Sequence, residues 1–122
     1  MEIKILVIDD NDQDCKIIER VLKKNGFPRI IFASTGEEGV RMVKEENPDV
    51  TIIDTNLPGI DGFETCKQIR DINGIKTKII IITGFIDAVD AGKAKHMGAD
   101  DYSVKTLDFS YLIDAIKKLT SS

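Results

Sequence analysis

Ile3-Lys4-Ile5-Leu6-Val7-Ile8-Asp9-Asp10-Asn11-Asp12 is an aliphatic, β-branched run that stops abruptly at a row of carboxylates and an amide. Such a run favours a strand over a helix. Its apolar residues do not alternate with polar ones, as expected of a strand buried on both faces of a parallel sheet. Two further stretches share this form: Val50-Thr51-Ile52-Ile53 before Asp54, and Lys78-Ile79-Ile80-Ile81-Ile82 before Thr83. Shorter and more polar strands are expected at residues 30–33 and 101–104, as suits the edges of a sheet.

Between these runs lie segments with helical spacing. Residues 12–25 carry Ile17, Ile18, Val21 and Leu22 on one side, and Gly26 stops them. Residues 35–46 carry Val40 and Val43 and close at Pro48. Residues 63–72 place Phe63, Cys66 and Ile69 together after a turn-rich loop. A weakly apolar helix is expected at 86–97, stopped by Gly98. A last helix is expected at 108–119 with Asp108 as its N-cap. Five alternations of strand and helix imply parallel strands joined by crossover helices. A doubly wound α/β sheet in the flavodoxin-like order 2-1-3-4-5, with helices on both faces, fits. Function in such a sheet gathers at the carboxyl ends of its strands.

Composition narrows the function. The chain has 122 residues, the size of one domain, with 42% hydrophobic and 31% charged residues. A net charge of −4 argues against direct nucleic-acid binding. The apolar runs are too short to span a membrane, and the N-terminus lacks a signal-peptide pattern, so a cytoplasmic protein is expected. Cys15 and Cys66 have neither CxxC spacing nor a nearby histidine, and read as reduced, half-buried thiols. His96, the one histidine, reads as a surface residue.

The polar residues at the strand ends carry the chemistry. Strand 1 ends in Asp9 and Asp10, strand 3 in Asp54, strand 4 in Thr83 and strand 5 in Lys105. Neighbouring strands lie about 4.8 Å apart, so three carboxylates would share a small volume. A hard cation relieves their repulsion, and Mg2+ suits a shallow site with few carboxylates. Asp54 can then act as a nucleophile towards phosphorus. Lys105 offers an ammonium, and Thr83 a hydroxyl, to phosphoryl oxygens. Each has a bland alternative: Asp9, Asp10 and Asn11 as helix caps, Asp54 as the start of an Asx-turn. Their coincidence at four strand ends favours the shared site.

These residues lie in motifs that resemble the response regulator receiver domain of two-component signalling, of the chemotaxis-receiver type. The motifs are Val7-Ile8-Asp9-Asp10-Asn11, Asp54-Thr55-Asn56-Leu57-Pro58-Gly59-Ile60-Asp61-Gly62, Ile81-Ile82-Thr83-Gly84 and Gly98-Ala99-Asp100-Asp101-Tyr102-Ser103-Val104-Lys105. The resemblance implies a single receiver domain over residues 1–122, a phosphoacceptor switch and not an enzyme, with room for an intrinsic autophosphatase activity. It makes Asp54 the phosphoacceptor, Asp10 a direct Mg2+ ligand, and Asp9 a ligand acting mainly through water. Asn56 would contribute its backbone carbonyl to the metal. Thr83 and Lys105 would contact the phosphoryl group, and Tyr102 would be the aromatic that turns inward with the threonine. The implied donor is a histidine kinase or a histidine phosphotransfer protein. Output would run to a downstream protein through helix 4, strand 5 and helix 5.

One departure stands out. The family usually has proline after the lysine, often with a cis bond, and this chain has Thr106. A cis bond before threonine costs about 3 kcal/mol, so a trans Lys105–Thr106 bond is expected. Three rival functions fit less well. A flavin or nucleotide binder needs a Gly/Ser/Thr-rich loop after strand 1, where this chain has Asp9-Asp10-Asn11-Asp12. A phosphatase of the Asp-x-Asp type needs a second carboxylate where Asn56 stands. A phosphorylation-independent module would be expected to lose the acidic pair, the acceptor or the lysine.

Overall fold

The computed structural model describes residues 2–84 and 88–121. Five strands form one parallel sheet: β1 (Lys4–Ile8), β2 (Arg29–Ala33), β3 (Val50–Asp54), β4 (Lys78–Thr83) and β5 (Asp101–Val104). Their order is β2-β1-β3-β4-β5, as the sequence predicts. The helices between them are α1 (Asp12–Lys24), α2 (Gly36–Glu46), α3 (Gly62–Arg70), α4 (Ala88–His96) and α5 (Ser110–Thr120). The expected start of the fourth helix, at Ile86 and Asp87, lies outside the described residues.

Two cores follow from the period of two along a strand. Ile5, Val7, Ile52, Ile80 and Ile82 face one side, against Ile18 and Leu22 of α1 and Leu112, Ile113 and Ile116 of α5. Leu6, Ile8, Ile53, Ile79 and Ile81 face the other, against Val43 of α2, Phe63, Cys66 and Ile69 of α3, and Ala94 of α4. The central strands β1, β3 and β4 are buried along nearly their whole length, while β2 and β5 are only partly covered. Continuous apolar runs were therefore needed only in the middle of the sheet.

The helix starts are specified locally. Asn11, Thr35 and Asp61 each accept a backbone N–H from three residues on, at Asp14, Glu38 and Glu64. Asn11 is thus the cap of α1, which leaves Asp9 and Asp10 available for other work. The last helix departs from expectation. Its N-cap is Phe109, in the left-handed region at φ 52 with no side-chain cap bond, not Asp108. Phe109 drops into the core of the α1/α5 side, and the Asp108 carboxylate, one residue outside, accepts from the Ser110 N–H and the Thr106 hydroxyl. Burial of the ring sets this helix start, and Asp108 follows. Cys66 also differs from expectation, being fully buried, whereas Cys15 is half-buried.

Arg70, at the end of α3, ties three elements together. Its Nε donates to Gly98 O at 2.6 Å and its Nη1 to Thr77 O at 2.7 Å, and its Nη2 pairs with Asp100. Asp100 in turn accepts the Ile79 N–H. The start of β4 and the approach to β5 are so held to α3.

Candidate functional site

Register brings the strand ends together. Ile8 pairs with Ile53, so Asp9 and Asp54 follow side by side; Asp54 pairs with Ile82, and Thr83 with Val104. The expected residues Asp9, Asp10, Asp54, Thr83 and Lys105 therefore converge at the carboxyl edge of β1, β3, β4 and β5. They meet in an open cleft whose walls include Asp10, Asp54, Asn56, Thr83 and Lys105. Asp9 and Asp54 are buried, whereas Asp10 and Asn56 are exposed. Tyr102 sits one strand over on β5, half-buried among the residues of the α2/α3/α4 side.

Lys105 is the centre of the electrostatics. Its Nζ lies 2.7 Å from Asp14 Oδ2, 3.2 Å from Asp9 Oδ2 and 3.3 Å from Asp54 Oδ1. No peptide bond among the described residues is cis, so the Lys105–Thr106 bond is trans as expected. The four-carbon stem still delivers its ammonium to Asp54. Burial by itself would lower the Lys105 pKa. The hydrogen bond to Asp14 and the charges of Asp54 and Asp9 reverse this and hold it well above the usual lysine range.

The carboxylates feel the opposite pressure. Burial, then the charge of Asp9, pushes Asp54 up to about 6, with Lys105 pulling the other way. Burial also raises Asp9, against the Asn11 N–H that its Oδ1 accepts at 2.9 Å and against Lys105. For both groups the nearby Lys105 ammonium opposes the effect of burial. Burial pushes Cys15 and Cys66 up to about 11, so neither thiol is a nucleophile at neutral pH. Among the described residues, Asp9, Asp10 and Asp54 each offer a carboxylate oxygen within 4.8 Å of the others. Three hard oxygen donors, one exposed to solvent, fit a Mg2+ ion that keeps part of its water.

Two contacts at the site did not follow from the sequence, which offered Gly62 only as a turn residue. Asp14, in the first turn of α1, makes the shortest contact to Lys105. The only available signal was its place three residues after the cap Asn11, on the turn that follows the acidic pair. Gly62 is the second. A Cβ there would fall 2.2 Å from Asp54 O and 2.8 Å from Thr55 Cα, while its own N–H donates to Thr55 O at 3.1 Å. The start of α3 thus rests directly on the backbone that carries Asp54. Because the obstructing atoms are backbone, Gly62→Ala is expected to cost about 2–4 kcal/mol. Urea unfolding checks this; a midpoint equal to that of the parent chain would show that the loop yields freely.

Known proteins share these features. A sequence profile of the response regulator receiver domain matches residues 5–117. The transcriptional regulatory protein AfsQ1 of Streptomyces coelicolor is 39% identical over 83% of this chain, a match covering 44% of that protein. The chain spans about half the length of the curated relatives it matches. A response regulator from Chloroflexus aurantiacus superposes with a TM-score of 0.90 at 30% identity, over 98% of both chains. The response regulator TrrA of Thermotoga maritima, solved in complex with Mg2+ and BeF, superposes with a TM-score of 0.85 at 32% identity, over 98% of this chain and 99% of that one. No described helix is long and apolar enough to cross a membrane.

Proposed function

The chain belongs to the response regulator receiver family of two-component signalling, and from that premise we propose that Asp54 accepts a phosphoryl group in a Mg2+-dependent step. The carrying observation is the convergence of Asp9, Asp10, Asp54 and Lys105 at one edge of the sheet. An oxygen of ionised Asp54 attacks phosphorus. The bond from phosphorus to a donor histidine nitrogen breaks, and its electron pair leaves with the imidazole. Lys105, held protonated, balances charge on one phosphoryl oxygen, and Thr83 offers its hydroxyl to another. Asp9, Asp10, Asp54 and the Asn56 carbonyl would hold Mg2+, which when bound supplies positive charge against the transferring group. The donor would be a histidine kinase or a histidine phosphotransfer protein. The open cleft also leaves the acyl phosphate accessible to water, the natural route of its loss.

Mass measurement after exposure to a small acyl phosphate and Mg2+ tests this. One added phosphoryl group is expected, and an unmodified chain refutes the assignment.

What borders the cleft supports output through α4, β5 and α5. Thr83 ends β4 opposite Val104 of β5, and Tyr102, two residues earlier on β5, pairs with Ile81. Over residues 90–96 of α4 only Ala94 is buried, and the Lys93 ammonium sits over the Phe63 ring, 4.6 Å from its centroid. Over these residues so small an apolar anchor lets the segment shift at little cost, and phosphorylation would bias an equilibrium between its positions. Amide hydrogen exchange in α4 and β5 is expected to change by about tenfold or more on phosphorylation. A change confined to α1 and α2 would refute this route.

A further inference from the structure

Lys105 has three N–H donors, and three carboxylates face them: Asp9, Asp14 and Asp54. The hydrogen bonds of Lys105 go to Asp14 and Asp9, while Asp54 Oδ1 is an ion-pair contact at 3.3 Å. A phosphoryl oxygen arriving on Asp54 must therefore draw the ammonium away from one of the first two to hold it fully. Asp9 is a poor candidate for release, because its side chain is fully buried and its other oxygen is engaged by the Asn11 N–H. Asp54 carries the incoming group itself. Asp14 is different: its side chain is 28% exposed, so water can replace the ammonium when the contact breaks. Nor is its side chain the cap of α1, since Asn11 fills that place and the Asp14 contribution to the cap bond is its backbone N–H.

We propose that Asp14 is a positioning residue that holds the Lys105 ammonium towards α1 in the unphosphorylated chain and competes with the phosphoryl group for it. This rests on the assignment of Asp54 as the phosphoacceptor. An isolated exposed ion pair would be worth little. Here the lysine side chain is only 16% exposed and the contact to Asp14 is shorter than either of its others. Releasing Asp14 is therefore part of the work of phosphorylation, and a neutral side chain in its place removes that opposition.

Phosphoryl uptake from a small acyl phosphate with Mg2+ tests the competition in four chains: the parent, Asp14→Asn, Lys105→Ala and the double variant. Asp14→Asn is expected to take up the group about three- to tenfold faster, the scale of one charge-assisted hydrogen bond at a partly exposed site. The same substitution should have no effect once Lys105 is alanine. An unchanged or slower rate in Asp14→Asn overturns the proposal. So does an equal acceleration in the Lys105→Ala background, which would reveal only a general field of negative charge. Exchange of the Lys105 ammonium protons with water, followed by NMR without phosphoryl donor or metal, supplies an independent readout. It should quicken in Asp14→Asn, and unchanged exchange also counts against the proposal. A parent chain that takes up no phosphoryl group overturns the assignment of Asp54 and the competition with it. Normal parental uptake that ignores Asp14 overturns the competition alone.

Discussion

Asp54→Asn is expected to abolish phosphoryl uptake and, in the absence of divalent metal at pH 7, to unfold at a higher temperature than the parent chain. The first effect follows from the nucleophile. An amide lacks the anionic oxygen that attacks phosphorus, and Asp9 is held by Lys105 and the Asn11 N–H. Uptake should fall by at least about a hundredfold, the scale seen when a positioned reacting group is removed. The second follows from burial. The pKa of Asp54 rises from 3.8 to about 6 on folding, chiefly through desolvation. A rise of that size corresponds to about 3 kcal/mol against the ionised form. A carboxyl group raised in this way favours the folded state most below pH 4, and that advantage is lost as pH rises through about 6. At pH 7 the folded chain carries a buried charge that asparagine lacks. Lys105 loses one partner in the variant but keeps Asp9 and Asp14, so a net gain of about 1–2 kcal/mol remains, a few degrees in Tm. Thermal unfolding checks this, and the gap should close by pH 4. A variant that is less stable at pH 7 would mean that the Lys105 contact outweighs the cost of burying Asp54.

Asp54 ends a strand that is otherwise largely apolar, and that contrast made the candidate site legible in the sequence. Strands β1, β3 and β4 must be apolar throughout to lie between two layers of helices, so a charged residue at their ends stands out. Asp9, Asp54 and Thr83 were visible for that reason, and parallel register then places them side by side. Lys105 was visible because β5 ends one residue earlier. Asp14 had no such background. It is one of several acids in a polar helical turn, and only the three-dimensional course of Lys105 singles it out. Gly62 was visible as a turn residue, but its close approach to the Asp54 carbonyl depends on how α3 settles on the sheet. Asp108 was read as a cap because capping is a local rule. Burial of Phe109, a tertiary demand, moved the helix start by one residue. Local signals thus predicted the sheet and the polar residues gathered at its carboxyl edge, whereas contacts that cross between elements did not follow from them.

Mg2+ is expected to raise the melting temperature of the parent chain, and to do so more strongly as pH rises through about 6. The ion would bind the assembled group of Asp9, Asp10 and Asp54. That group exists only in the folded state, since the three residues come from two strand ends distant in sequence. At tenfold excess over its dissociation constant, a ligand of this kind stabilises by about 1.4 kcal/mol. Protons compete for the same oxygens. With Asp54 at about 6 and Asp9 also raised by burial, acid removes the ligand charge before it unfolds the chain, so the Mg2+ effect should shrink sharply between pH 7 and pH 5. The two neighbouring acids should differ. Asp9 is committed to Lys105 and the Asn11 N–H, whereas Asp10 is exposed at the edge of the cleft. Asp10→Asn should therefore weaken Mg2+ binding more than Asp9→Asn, by about tenfold or more. Titration of the melting temperature with Mg2+ at pH 5 and pH 7 measures both effects. A response independent of pH would place the ion away from Asp54, and equal losses in the two variants would remove the distinction between a direct ligand and one acting through water.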